Sequence, residues 1–93
     1  MKLLSWNIQW GRGADGVVDL KRTISAIRTL GDFDVICLQE VAVGFAGLQG
    51  GMPVDGVARL AAAFPGYSVH FVSAVDLPDG VGGRSRFGNL TLS

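Results

Sequence analysis

Residues 33–38 read FDVICL, a run in which apolar residues follow one another with almost no polar interruption. Such a run is typical of a strand that is buried on both faces of a parallel sheet. Residues 3–10, LLSWNIQW, alternate instead, which is typical of a strand with one apolar face. The apolar members of that alternation are Leu4, Trp6, Ile8 and Trp10. Between the two strands, Leu20, Ile24, Ile27 and Leu30 recur at helical spacing, so we predict a β-α-β unit with parallel strands.

The rest of the chain extends this unit to an α/β fold in the order β-α-β-α-β-β. Asp19 is suited to begin the first helix and Gly31 to end it. We predict a second helix over residues 54–64 and strands over residues 67–75 and 87–93, with loops at 41–53 and 76–83. The last two strands should pair antiparallel. We therefore expect one mixed sheet with both helices on one face, a second face left uncovered, and an unpaired edge at the last strand.

Composition limits the chain to one small domain. Of its 93 residues, 17 % are charged, below the usual ~25 %, which predicts apolar surface that needs a cover. The formal net charge is zero, so the composition does not indicate strong non-specific binding to nucleic acid. The N-terminus does not have the pattern of a signal peptide, and no run is long enough for a transmembrane helix, so we expect a cytoplasmic protein. Cys37 lies in the apolar run and is predicted to be a packed core thiol.

Two polar residues lie where the first two predicted strands end, Asn7 near the end of the first and Glu40 at the end of the second. Ligands collect outside the carboxyl ends of strands in open α/β sheets. An amide oxygen and a carboxylate are the hard oxygen ligands that Mg²⁺ prefers. From the pattern alone a structural explanation stays open, in which Asn7 bonds a loop backbone and Glu40 caps a strand end.

Three stretches together resemble successive motifs of the endonuclease/exonuclease/phosphatase family: SWNIQ at 5–9, DVICLQEV at 34–41 and RFGNLTLS at 86–93. The resemblance implies a metal-dependent phosphoesterase that hydrolyses a phosphodiester or phosphomonoester with Mg²⁺ or Mn²⁺. It implies a four-layer α/β sandwich, of which residues 1–93 would be the N-terminal portion. Carried over by position, Asn7 and Glu40 become metal ligands, and Glu40 also the catalytic carboxylate.

Four further residues are candidates for substrate binding. The resemblance places Gln9 beside the metal, although a solvent-facing strand residue would look the same, and Asn89 belongs to the third motif. Arg84 and Arg86 flank the last turn and could contact a phosphate, although hairpin arginines are more commonly solvated.

The resemblance also implies that this stretch is catalytically incomplete. The water-activating aspartate and the catalytic histidines of the family come from motifs that these residues do not contain, and His70 matches none of them. We interpret His70 as a structural or surface residue. We expect a phosphate-ester substrate, with nucleic acid one candidate, and no hydrolysis by the 93 residues alone, which should self-associate through the uncovered sheet face.

Two alternatives come from other functional classes. Residues 11–16, GRGADG, fit the GxGxxG pattern of a Rossmann-type nucleotide-binding fragment, after a strand and before a helix. Against this, the preceding strand carries Ser5, Asn7 and Gln9, helical periodicity begins only near residues 18–20, and the chain closes on a hairpin. The other alternative is a non-catalytic remnant that acts as a binding module.

Overall fold

The computed structural model describes residues 1–45, 54–78 and 83–93. Over these residues the chain is an α/β fold with one mixed four-stranded sheet and two α-helices, which confirms the predicted class. In chain order the elements are β1 (Leu3–Asn7), a 3-10 turn (Gln9–Gly11), α1 (Leu20–Leu30), β2 (Val35–Val43), α2 (Gly56–Ala63), β3 (Val69–Pro78) and β4 (Arg84–Leu92).

The strands are arranged in the order β1-β2-β4-β3. As predicted, β1 pairs parallel with β2, and β3 pairs antiparallel with β4. β4 also pairs antiparallel with β2, so it lies inside the sheet. The prediction of an unpaired edge at the last strand is therefore wrong, and β1 and β3 form the edges of the described sheet.

Both helices contribute to one hydrophobic core on one face of the sheet. The fully buried side chains of this core include Ile27 from α1, Leu60 from α2, Ile36 and Leu38 from β2, and Leu90 and Leu92 from β4. Because side chains alternate along a strand, the residues between these belong to the opposite face. We call this the open face; it includes Ser5, Cys37, Gln39, Asn89 and Thr91. Cys37 is half-buried there, so the prediction of a core thiol is wrong.

Side-chain caps begin both helices. The Asp19 carboxylate accepts a hydrogen bond from the Lys21 N–H at 3.0 Å, and Asp55 accepts from the Ala58 N–H at 2.9 Å. Each cap satisfies a backbone donor that has no partner within its helix. A Cβ added at Gly56 would lie 2.5 Å from the Ala42 carbonyl oxygen, so the start of α2 packs tightly against β2.

Several predicted boundaries are corrected by the structure. β1 ends at Asn7 rather than Trp10, because Gln9 and Trp10 adopt left-handed backbone angles that no strand accommodates. β2 continues to Val43, so residues 41–43 are strand rather than loop. β3 extends to residue 78 and β4 begins at residue 84. Parts of the two predicted loops, 46–53 and 79–82, lie outside the described residues. Within the described chain, neither helix has the length and apolar character needed to cross a membrane.

Candidate metal centre

Glu40 lies at a bulge inside β2. Leu38 pairs with Leu90 and Val41 pairs with Gly88, which leaves Gln39 and Glu40 together opposite the single residue Asn89. The backbone of Glu40 is left-handed, with φ of 57°. An extra residue of this kind breaks the alternation of a strand and re-aims its side chain. The prediction that Glu40 ends its strand is therefore wrong, because the bulge positions it within the strand.

One oxygen of the Glu40 carboxylate lacks a hydrogen-bond partner. This atom, Oε2, is buried, and among the described residues it is the one buried side-chain nitrogen or oxygen in that state. An unpaired buried polar atom costs roughly 1–3 kcal/mol, and more when it is charged. Such an atom in a native structure calls for a compensating group, for which a bound ion is one explanation. A hard divalent cation fits an unpartnered carboxylate oxygen.

Asn7 is the last residue of β1 and lies beside this bulge. It pairs with Gln39, the residue immediately before Glu40, and the next N–H along the chain, that of Ile8, donates to the Gln39 carbonyl at 3.1 Å. The Asn7 Oδ1 accepts a hydrogen bond from the Gln9 N–H at 3.2 Å. An amide oxygen has two lone pairs, so one remains for a cation. The structure thus brings the two predicted ligands to neighbouring strands, one register position apart.

Unusual backbone angles are concentrated at this edge of the sheet. Among the described residues, the non-glycine residues with positive φ are Gln9 at 48°, Trp10 at 51° and Glu40 at 57°. Residues held in such angles cost of order 1–3 kcal/mol each and cluster at functional sites. Gln9 contributes to the candidate metal centre through its backbone N–H, which donates to the Asn7 side chain, whereas its own side chain is exposed.

The other predicted residues divide into two groups. Asn89 lies opposite the bulge and is exposed, so it borders the site. Arg84 and Arg86 instead lie near Asp76 of β3, at 2.8 Å and 3.9 Å from its carboxylate oxygens, which supports the solvated-hairpin interpretation. His70 is exposed on the edge strand β3, opposite Thr91, and does not reach the bulge strand.

The described residues contain no group of three or more histidine, cysteine, aspartate or glutamate side chains that could hold a metal together. The ligands found at the bulge are one carboxylate and one amide. Since Mg²⁺ fills the rest of its octahedral shell with water and substrate oxygens, two protein ligands are compatible with a site but give it low affinity.

Comparison with known proteins points to one family. The whole chain is similar to the crystal structure of an endonuclease/exonuclease/phosphatase from Beutenbergia cavernae DSM 12333, with 32 % sequence identity and a TM-score of 0.70. The resemblance to the endonuclease/exonuclease/phosphatase family is confirmed. The chain spans 25 % of the length of that structure. No protein-family profile matches the chain, and no curated protein matches it.

The glycine-rich loop, residues 11–16, is occupied by a side chain of the same chain. Arg22 fills the loop: its guanidinium donates to both carboxylate oxygens of Asp15, at 2.9 and 3.1 Å, and to the Val17 carbonyl. A Cβ at Gly13 would lie 2.6 Å from the Arg22 Nη2. The hydrogen bond from Arg22 lowers the pKa of Asp15 to about 2. A Cβ at Gly13 would displace the end of the Arg22 side chain, so glycine suits this internal ion pair. The Asp19 carboxylate already caps α1, so the geometry opposes a dinucleotide site.

Sequence reasoning proposed Asn7 and Glu40 as ligands, which stays a prediction, and it missed the bulge and the turn in which these residues lie. One signal was available for the bulge. The polar pair Gln39 and Glu40 interrupts residues 35–43, which are otherwise apolar and therefore typical of one continuous strand. A polar pair inside such a run indicates a break in alternation more than the end of a strand.

Proposed function

We propose that this chain supplies part of the divalent-metal site of a phosphoesterase, with the Asn7 Oδ1 and the Glu40 carboxylate as ligands for Mg²⁺ or Mn²⁺. The buried, unpartnered Oε2 of Glu40 is the observation that carries the proposal. Replacing the missing hydrogen bond with a cation would remove the cost of burying that oxygen. The family resemblance, which covers the whole chain, supports the same ligands.

A bound divalent cation would supply charge stabilisation to a phosphoryl group. The residues of this chain contribute orientation to that chemistry. The bulge holds Glu40 as the catalytic carboxylate, and the Gln9 N–H holds the Asn7 amide oxygen at 3.2 Å. Groups fixed in this way reorganise little when the ligand arrives, which is how a preorganised site lowers a barrier.

The substrate class that we propose is a phosphate ester, with nucleic acid one candidate. Asn89 and the exposed side chain of Gln9 border the proposed metal position, so they are the residues that we propose contact the substrate. The described residues bring no histidine to the bulge, since His70 lies on the far edge strand. General acid–base catalysis needs a proton carrier within hydrogen-bond reach of the reacting group. We therefore expect the 93 residues alone to show no hydrolysis of DNA, RNA or a generic phosphodiester.

We also propose that residues 1–93 are the N-terminal portion of a four-layer sandwich, in which a second sheet covers the open face. The support is the share of the similar structure that the chain spans, 25 %, and the placement of both helices on the other face. Without that cover the chain should self-associate. The cytoplasmic location stays a prediction.

Counting bound Mn²⁺ by electron paramagnetic resonance tests the metal proposal, because free Mn²⁺ gives a six-line spectrum that fades on binding. We expect one weak site in the protein and its loss in Glu40→Gln, which keeps the shape and removes the charge. Asp32→Asn is the matched control; Asp32 is exposed and precedes β2 by three residues, about 25 Å of extended chain from Glu40. Equal Mn²⁺ binding by Glu40→Gln and the wild-type protein would refute the assignment.

A further inference from the structure

Trp10, in the turn after β1, contacts β4, a strand that is not adjacent to β1 in the sheet. β1 and β4 are separated by β2. The Trp10 ring nevertheless packs against the Phe87 ring of β4, with centroids 6.1 Å apart and planes tilted by 55°. Phe87 pairs with Ala42 of β2, and Trp10 and Ala42 line the same cavity. The Trp10 ring therefore reaches past β2 to a β4 residue that pairs with Ala42 near the end of β2.

The turn that carries Trp10 is the one that fixes Asn7. Gln9 and Trp10 are consecutive left-handed residues, an arrangement that an isolated chain avoids. On its N-terminal side, Ile8 is 3 % exposed and its N–H is bonded to β2. On its C-terminal side, the Gly11 carbonyl accepts from the Asp19 N–H at 2.9 Å, at the start of α1. Between these anchors, the Trp10 ring is the side-chain contact that reaches β4.

We propose that Trp10 is a positioning residue for the metal centre. Its ring, packed on Phe87, holds the left-handed turn in which the Gln9 N–H fixes the Asn7 amide oxygen beside the Glu40 bulge. Neither ring is proposed to contact the metal itself. The consequence for metal binding rests on the proposed function, whereas the consequence for the Gln9 hydrogen bond does not.

The physical reason is that the left-handed turn needs a tertiary contact to compensate its cost. Two left-handed non-glycine residues are costly together, and they persist only where the surroundings determine them. A tilted aromatic pair at this centroid distance is favourable beyond the area that it buries. Phe87 is joined by Phe45, whose ring packs edge-on against it at 6.3 Å, so the contact belongs to a three-ring cluster. Removing the Trp10 ring should release the turn while the rest of the sheet stays paired.

Hydrogen exchange at the Gln9 amide tests this directly, because that N–H donates to the Asn7 side chain. The variants are Trp10→Ala and Phe87→Leu, with Trp10→Phe as the conservative variant that retains a ring. Phe64→Leu is the matched control, since Phe64 makes a comparable aromatic pair with Tyr67 at 6.2 Å, after the end of α2. Residue-resolved mass spectrometry measures the exchange, and Mn²⁺ titration measures the metal in the same samples.

We expect exchange at Gln9 to accelerate about two- to tenfold in Trp10→Ala and Phe87→Leu, the range that corresponds to removing one aromatic pair, and to recover in Trp10→Phe. Mn²⁺ affinity should fall by a similar factor, with Phe64→Leu unchanged in both. Unchanged Gln9 exchange, or equal acceleration in Phe64→Leu, would overturn the proposal. If Trp10→Ala fails to fold, the rates of Gln9 exchange in Phe87→Leu and in Phe64→Leu are compared instead, and this comparison decides the role of the Trp10–Phe87 contact. Absence of Mn²⁺ binding in the wild-type protein would refute the proposed function, while the exchange measurement still decides the role of Trp10.

Discussion

Replacing Glu40 by methionine should stabilise the metal-free protein. Glu40→Met keeps an unbranched side chain of similar length and removes the buried Oε2 that lacks a partner. Relieving an unpaired buried polar atom is worth roughly 1–3 kcal/mol. The left-handed backbone at this position, φ of 57°, is equally strained in both proteins, so it cancels from the comparison. For a domain of this size, each kcal/mol shifts Tm by about 4–8 °C, so we expect a rise of roughly 5–20 °C.

In Mn²⁺, the Tm difference between Glu40→Met and the wild-type protein should become smaller or change sign. A ligand that binds only the folded protein adds about 1.4 kcal/mol when its concentration is about ten times Kd, a ratio that suits a weak site in millimolar Mn²⁺. The wild-type protein should gain this stabilisation, whereas Glu40→Met should not. Differential scanning calorimetry in EDTA and in millimolar Mn²⁺ measures both differences.

Gln39→Met is the control, because it is the neighbouring residue of the same bulge. The Gln39 amide is satisfied, as its Nε2 donates to the Ser5 Oγ at 3.2 Å and to the Cys37 carbonyl. That variant should be neutral or destabilised in both buffers. A lower Tm for Glu40→Met than for the wild-type protein in EDTA would refute the idea that the carboxylate is a cost of the metal-free fold.

Three further outcomes are expected. Gly88→Ala places a Cβ against the Val72 carbonyl oxygen and must push β3 from β4. Chemical denaturation should therefore show a loss of about 3 kcal/mol in the free energy of unfolding, and a loss below about 1 kcal/mol would contradict the register. The pKa of Asp15 is lowered from 3.8 to about 2, so Asp15 contributes stability that is present above pH 3.8 and lost as pH falls towards 2. In Asp15→Asn, the free energy of unfolding should depend less on pH in that interval. An unchanged pH dependence would count against the ion pair with Arg22. The 93-residue chain should sediment as a dimer or larger species through the open face, where Leu3 and Val72 are 61 % and 73 % exposed. A sharp monomer with fixed near-ultraviolet aromatic signals would show that this face needs no cover.

Local patterns in the sequence predicted most of the elements. Continuous apolar residues indicated β2, helical spacing indicated α1, and Asp19 caps that helix as predicted. The insertion of β4 between β2 and β3 could not be predicted, because strand order depends on pairings between distant residues that no local pattern records. Cys37 was misassigned for a related reason: a continuous apolar run predicts burial on both faces of the sheet, and only the face that carries the helices is covered here.

The metal ligands stay a prediction, and the sequence did not reveal the geometry around them. Asn7 and Glu40 were singled out because oxygen ligands near the carboxyl ends of strands have a recognisable chemistry, but the structure places Glu40 within β2. The alternation that made residues 3–10 look like one strand continues through Trp10, but a contact with Phe87, 77 residues later, accompanies a left-handed turn there. Backbone angles that depend on such a contact are fixed by the tertiary structure, so the sequence alone could not reveal them.

A crystal structure of the protein with Mn²⁺, using the anomalous scattering of manganese, tests the central claim most directly. We predict one anomalous peak beside the β2 bulge, within about 2.0–2.2 Å of both the Asn7 Oδ1 and a Glu40 carboxylate oxygen, with the two side-chain oxygens no more than about 4.4 Å apart. A manganese ion bound elsewhere, or Asn7 and Glu40 directed to opposite faces of the sheet, would contradict it.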